Sequence, residues 1–162
     1  MAVEVRPASE ADVDALIALN KLVQDFHAAL YPRDFKAVVD HVGAKAWFTA
    51  RLGEPNSVIA IAEADTAPVG YVWFELQTRP ETLFNPPRQR IYLHHLSVVP
   101  DARRKGIATT LLRFIEQRAA VRGMIDIMLD TWTANADAQA FFAARGFAPL
   151  QMVFRKKLVP AS

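Results

Sequence analysis

The chain contains no cysteine among its 162 residues. Disulfide bonds, thiolate metal ligands and a cysteine nucleophile are therefore excluded. No spacing typical of a zinc site is present either, so we expect no metal. A chain without cysteine is also consistent with a reducing compartment, and we predict a cytoplasmic location.

Glycine is scarce as well, with six residues that are never closer than ten positions apart. This spacing excludes the dinucleotide motif G-x-G-x-x-G and the phosphate-binding motif G-x-x-x-x-G-K-[ST]. Any nucleotide must therefore be bound without either glycine-rich loop.

Long apolar runs are missing too, because no stretch approaches 18 uninterrupted apolar residues. The first residues, MAVEVRPASEADVD, also lack the apolar core of a signal peptide. We therefore expect neither a membrane-spanning helix nor a membrane partner. The length and the 52% hydrophobic content predict one domain, residues 1–162, with a substantial core.

The net charge of +2 conceals a division between the two halves of the chain. Residues 1–81 hold 7 Lys and Arg against 12 Asp and Glu, whereas residues 82–162 hold 12 against 5. Residues 86–118 alone carry seven cations and two acids. The basic half is therefore expected to meet an anion.

Apolar periodicity predicts the element order β-α-α-β-β-β-α-β-α-β. Helices are expected at 13–30, 35–52, 105–122 and 136–145. Strands are expected at 2–6, 57–64, 69–76, 89–99, 124–130 and 152–158. The strand–helix–strand passage through 89–130 predicts one parallel pair in an otherwise antiparallel sheet, so the fold class is mixed α/β (α+β) with flanking helices.

The segment 98–108 (VVPDARRKGIA) carries the clearest chemical signal. A proline ends a buried strand, three cations follow, and a helix begins near Gly106. Helix-start N–H groups lack partners and the helix dipole adds positive potential, so this junction predicts a pyrophosphate site. Without further motifs, a merely solvated basic helix start explains the pattern equally well.

Two motifs resolve this choice. Arg103-x-x-Gly106-x-Ala108 matches [RQ]-x-x-G-x-[GA], the acetyl-CoA motif of the GNAT family of N-acetyltransferases. Downstream, NADAQAFFAARGF, which begins at Asn135, is similar to the family pattern N-x-x-A-x-x-F-Y-x-x-x-G-F. The element order also agrees with that family over almost the whole chain, so the sequence resembles a GNAT acetyltransferase.

The resemblance implies that acetyl-CoA lies in a V-shaped gap where the parallel strands 89–99 and 124–130 splay apart. It implies direct attack of a primary amine on the thioester, without an acyl-enzyme, and it is compatible with a homodimer. The acidic first half favours a cationic acceptor. The implied cofactor-binding residues are Leu96, Val98, Arg103, Arg104, Lys105, Gly106, Ile107, Ala108 and Asn135.

His94 is the leading candidate for the catalytic base, because family members carry a catalytic Glu or His on this strand and an imidazole titrates near neutral pH. Asp130 is the second candidate, and Glu75 and Glu63 rank lower. Strict alternation predicts Tyr92 and His94 on one face of the strand, with His95 a structural residue on the other.

Phe142 occupies the place where the family often has a tyrosine that protonates the leaving thiolate. This departure leaves open a GNAT-fold protein that binds acetyl-CoA with little turnover. A basic nucleic-acid module is a further alternative. The cations are not interleaved with aromatic residues and no DNA-binding motif is present, so we expect no nucleic-acid partner.

Overall fold

The computed structural model describes residues 2–160. The described residues divide after Asp130 into two compact units, of which the first contains the sheet. The strands are β1 (Val3–Pro7), β2 (Ser57–Ala64), β3 (Ala67–Arg79), β4 (Arg88–Val98) and β5 (Asp126–Leu129). The helices are α1 (Val13–Leu30), α2 (His41–Gly53), α3 (Ile107–Val121) and α4 (Ala136–Ala143).

The sheet follows chain order, β1-β2-β3-β4-β5. The first four strands pair antiparallel, and β4 pairs parallel with β5 after the α3 crossover. The predicted mixed α+β fold with one parallel pair is therefore confirmed. Asp65 and Thr66 form the two-residue β2–β3 turn with φ of 50° and 68°, the left-handed geometry that suits a tight hairpin.

Helices cover both faces of the sheet. Against one face, α1 and α2 bury an apolar cluster that includes Leu16, Phe48, Tyr71 and Trp73. On the other face, the apolar stripe of α3 is buried, and its Phe114 contacts Phe74 of β3 at 6.4 Å between ring centroids. Tyr71 and Phe74 of β3 are both 0% exposed, and they face opposite layers of the core, Tyr71 the α1–α2 cluster and Phe74 the α3 side.

An ion-pair network joins β1, β2 and the start of α1. The Arg6 guanidinium donates to both carboxylate oxygens of Asp12 at 2.9 Å and to Glu63 Oε1 at 2.8 Å. The backbone N–H of Ser9 donates to Asp12 Oδ2 at 2.8 Å, as expected for a capping box. Hydrogen bonding from Arg6 lowers the pKa of Asp12 to about 2.

Two predicted elements are wrong. The second helix begins at His41 rather than near residue 35, because Asp40 caps it by accepting from the Gly43 N–H at 2.6 Å. The predicted last strand, 152–158, forms no strand, and its side chains are exposed. A strand needs a partner edge, and none of the described residues supplies one to this segment.

Among residues 2–160, no helix is long and apolar enough to cross a lipid bilayer. That portion of the chain also holds no group of three or more His, Asp or Glu side chains arranged to bind a metal ion.

Candidate functional site

The edge of β4 opens at the point where β5 ends. The parallel pairing runs from Arg90–Asp126 to Leu93–Leu129, and β4 then continues for five more residues, to Val98. On that side the backbone of 94–98 has no β5 partner in the described chain. The strands thus part as predicted, and the edge of β4 that includes Leu96 and Val98 is left without a β5 partner.

Beyond β4 the chain turns into α3 through a short, strained junction. A single 3₁₀ turn, Pro100–Ala102, precedes Arg104 with φ of 61° and Gly106 with φ of 81°. Gly106 is the N-cap of α3, and its carbonyl accepts from the Thr110 N–H at 2.9 Å. An ideal Cβ at Gly106 would meet nothing within 4 Å, so the space in front of the helix start is open.

The donors around this junction suit a phosphate group. Helix geometry leaves the first-turn amides of α3 without intrahelical acceptors, and the helix dipole places positive potential there. Arg104 and Lys105 are exposed, and Arg103 is tied to β4 through Nε, which donates to Val98 O at 3.3 Å. Small Ala108 and buried Ile107 complete the first turn, so residues 103–108 form a basic cradle.

A β-bulge changes which side chains of β4 face α1 and α2. The register between β3 and β4 shifts between Trp73–His95 and Phe74–Leu93, so His94 is the extra residue. Both imidazoles contact Trp73, His94 stacked at 4.1 Å and His95 edge-on at 4.9 Å between centroids. The predicted strict alternation is therefore wrong, because a bulge inserts one residue and breaks the two-residue period.

His94 forms a pair with a carboxylate on the neighbouring strand. Its Nε2 lies 2.7 Å from Glu75 Oε2, and the side chains of His94 and Glu75 are 26% and 31% exposed. The hydrogen bond from His94 lowers the pKa of Glu75, so this carboxyl is ionised at neutral pH. Sequence reasoning ranked Glu75 low, because only the cross-strand register places it beside Tyr92 and within reach of His94.

Tyr92 and Asp130 form a second pair next to the first. The Tyr92 hydroxyl donates a short hydrogen bond to Asp130 Oδ2, and the Tyr92 ring lies 4.9 Å from that of His94. Burial, together with the Asp130 carboxylate, raises the pKa of Tyr92 to about 12. The two predicted catalytic residues, His94 and Asp130, are thus brought together through a tyrosine that the sequence analysis did not select.

His95 belongs to the core instead. Its Nδ1 lies 2.8 Å from the hydroxyl of fully buried Tyr71, which accepts from Asn20 Nδ2 at 2.9 Å. Burial lowers the pKa of His95 to about 4, so the ring is neutral at physiological pH. These contacts fit the structural role predicted for His95.

Asn135 lies in the second compact unit, where it caps α4. Its Oδ1 accepts from the Ala138 N–H at 3.2 Å. Phe142, about two turns after Asn135, packs edge-on against Phe141 and Phe147, with centroids 5.1 and 5.3 Å apart. The capping bond fixes the amide orientation, since it assigns the carbonyl oxygen to the helix.

A family model for acetyltransferases of the GNAT family matches residues 18–147, which include the open β4 edge, the cradle and α4. The chain belongs to the GNAT acetyltransferase family. The activity is therefore transfer of an acetyl group from acetyl-CoA to an amine, and the resemblance found in the two motifs is confirmed.

Relatives and solved structures agree with this assignment. An uncharacterized N-acetyltransferase of Bacillus subtilis is 31% identical over 144 residues, 88% of each chain. A Bacillus halodurans protein has the same fold, with a TM-score of 0.90 at 18% identity over 96% of this chain and 99% of that one. An aminoglycoside N-acetyltransferase solved in complex with CoA has a TM-score of 0.77 at 18% identity, over 96% of this chain and 95% of that one.

Proposed function

We propose that this acetyltransferase holds acetyl-CoA along the open edge of β4 and in the basic cradle 103–108. Acetyl-CoA supplies the thioester from which the acetyl group is transferred. The free backbone of 94–98 would pair with the pantetheine amides, and the first-turn amides of α3 would bind the pyrophosphate together with Arg103, Arg104 and Lys105. The open space in front of Gly106 supports this fit.

Asn135 would add a contact to the pantetheine arm, directly or through one water. Its Oδ1 is committed to the α4 cap, which leaves the amide Nδ2 as the donor. The family match spans 18–147 and so crosses the division at residue 130, which supports a single acetyltransferase domain.

His94 is proposed as the base that takes a proton from the acceptor ammonium. Glu75 is ionised and can only accept, so Nε2 of His94 carries the hydrogen between them. Nδ1 therefore keeps its lone pair and can take the proton. The resulting imidazolium is stabilised by the adjacent Glu75 carboxylate. This pair is the observation that carries the proposed mechanism.

Tyr92 and Asp130 are proposed to position the amine rather than to protonate the leaving group. A phenol with a pKa of about 12 is a poor acid towards a thiolate whose conjugate acid has a pKa near 8.5. Because the hydroxyl hydrogen points to Asp130, the Tyr92 oxygen offers lone pairs to an ammonium N–H. A thiolate of this basicity can take its proton from water, so Phe142 does not preclude turnover.

Calorimetry with acetyl-CoA, combined with a thiol-release assay over a panel of primary amines, tests this proposal. Binding together with amine-dependent release is expected. Tight binding of acetyl-CoA without thiol release on any amine would contradict turnover. It would support the alternative of a GNAT-fold protein that binds acetyl-CoA with little turnover. Salt-dependent DNA binding that saturating acetyl-CoA leaves unchanged would instead favour the nucleic-acid alternative.

We also propose that the chain acts as a homodimer in the cytoplasm. Six large apolar side chains of residues 150–159 are 75–90% exposed: Leu150, Met152, Val153, Phe154, Leu158 and Val159. At about 100–150 Å² each they offer roughly 600–900 Å² per copy, which matches the area of a stable interface. A second copy that supplies a sheet edge would give this segment the partner it lacks. The absence of cysteine supports the cytoplasmic location.

A further inference from the structure

Three arginines meet at the open end of the β3–β4 ribbon. Arg79 and Arg88 lie directly opposite each other in the register, and Arg90 follows two residues along β4, opposite Gln77. All three line a cavity of about 390 Å³, to which Thr82 and Asn85 of the connecting loop contribute polar atoms. The cavity therefore concentrates positive charge beside hydrogen-bonding groups.

No described acid forms an ion pair with this trio, although Asp126 of β5 lies opposite Arg90 in the strand register. None of the ion pairs formed by residues 2–160 includes Arg79, Arg88 or Arg90. Like charges that face each other across two strands destabilise the sheet. Arg90 is nevertheless held in place, since its Nε donates to Gln77 Oε1 at 2.9 Å and its Nη1 to Met128 Sδ at 2.9 Å. Arg90 is thus fixed beside the opposed pair Arg79 and Arg88, and a bound anion would offset the repulsion between these like charges.

The trio continues the row of side chains that contains Glu75 and Tyr92. Glu75, Gln77 and Arg79 alternate along β3 and face Tyr92, Arg90 and Arg88 of β4 in turn. Arg79 lies four positions after Glu75, a distance of about 13 Å along a strand. A second cavity, of about 410 Å³, is lined by residues 75–79 and Asn56, and Arg79 lines both cavities. Both depressions are shallow and open to solvent, and together their lining extends from Glu75 to the arginines.

We propose that Arg79, Arg88 and Arg90 bind an anionic group of the acceptor, so that the preferred substrates are amines that also carry a carboxylate or a phosphate. This inference rests on the proposed function of His94 and Glu75. A peptide of three or four residues spans about 10–14 Å between its amine and its carboxylate, which matches the separation along β3. Local charge therefore points to an acidic acceptor, whereas the overall acidity of residues 1–81 favours a cationic one.

Paired acceptors that differ only in the acid test the proposal. We expect kcat/KM for thiol release to be at least about tenfold higher for tetraglycine than for tetraglycine amide, as for one or two charge-assisted hydrogen bonds. The kcat/KM of an aminoalkyl phosphate of similar length, compared with that of the amino alcohol that lacks the phosphate, distinguishes phosphate from carboxylate recognition. The preference should vanish in the Arg79→Gln/Arg88→Gln variant and persist in Arg122→Gln, which removes an exposed arginine at the end of α3.

A thermal melt gives a readout that does not depend on catalysis. Relief of the opposed pair in Arg88→Gln should raise the melting temperature of the free protein by about 1–4 °C. Inorganic phosphate and tetraglycine should raise the melting temperature of the unmodified protein more than the melting temperature of the Arg79→Gln/Arg88→Gln variant. Equal kcat/KM for acid and amide, with variants that behave alike, would overturn this inference alone. If no amine supports thiol release, the proposed function is overturned. If the melting temperature of the unmodified protein is also the same with and without phosphate or tetraglycine, the anion site is overturned as well.

Discussion

Substitution of Gly106 by alanine separates binding of the cosubstrate from folding. The residue has a φ of 81°, and a Cβ would point into the open space where the pyrophosphate is proposed to lie. Gly123, just beyond the other end of α3, provides a matched control, because it has a φ of 65° and a Cβ there would also meet nothing within 4 Å.

The two substitutions should cost similar stability. A left-handed backbone costs a non-glycine residue about 1–2 kcal/mol, which corresponds to a fall of about 2–8 °C in the melting temperature for a chain of this size. Only Gly106→Ala should also weaken the binding of acetyl-CoA. Loss of one charge-assisted amide contact, worth about 1.5–3 kcal/mol, raises Kd by about 10- to 100-fold.

Calorimetric titration with CoA, run beside thermal melts of both variants, makes this comparison. Equal loss of stability with a selective rise in Kd for Gly106→Ala is the expected result. If both variants bind CoA as tightly as the unmodified chain, the cradle does not hold the pyrophosphate. If both variants weaken the binding of CoA equally, the effect comes from strain in α3, and the assignment of the pyrophosphate to the cradle is refuted.

Three further predictions concern other parts of the chain. Tyr92→Phe should raise KM for the amine by about 5- to 20-fold with little change in KM for acetyl-CoA, because it removes one acceptor oxygen; equal rises in both would argue against a role in amine binding. Because Arg6 holds the pKa of Asp12 at about 2, below its usual value of 3.8, Asp12 stabilises the fold above pH 4 and loses this effect between pH 4 and 2. Asp12→Asn should therefore reduce the free energy of unfolding at pH 7 by about 1–2 kcal/mol, discounted because Arg6 is 36% exposed, and urea titrations should show the difference shrinking below pH 4. Phe154→Asp should convert the proposed dimer to a monomer in light scattering, whereas Leu83→Asp, at a similarly exposed site, should not; a monomeric unmodified chain would contradict the assembly.

Elements whose signals are local were predictable from the sequence. The strand that ends before Pro100 and the helix that starts after Gly106 depend on residues close together in the chain, so the cradle was predictable without the structure. The parallel pair followed from the strand–helix–strand order. Asp40 shows the limit of such reasoning, since its capping bond sets the start of α2 within an apolar pattern that extends further back.

Features that depend on pairing between strands were not predictable. The bulge at His94 arises from the register between β3 and β4, and this register places both His94 and His95 against Trp73. The same register gives His94 its Glu75 partner. Segment 152–158 shows the same limit, because it is predicted as a strand and yet a strand also requires a partner edge that its own sequence does not encode.

The proposed mechanism requires His94, oriented by Glu75, to accept the proton of the amine. Its most direct test is the pH dependence of kcat/KM for His94→Gln and Glu75→Gln, with His41→Gln as a control at an exposed histidine of α2. We expect His94→Gln to lower kcat/KM by about 100-fold near neutral pH, and kcat/KM to recover as rising pH deprotonates the amine itself. Glu75→Gln should show a smaller loss and His41→Gln none. A profile for His94→Gln that is unchanged in height and shape would show that bulk water, not this imidazole, takes the proton.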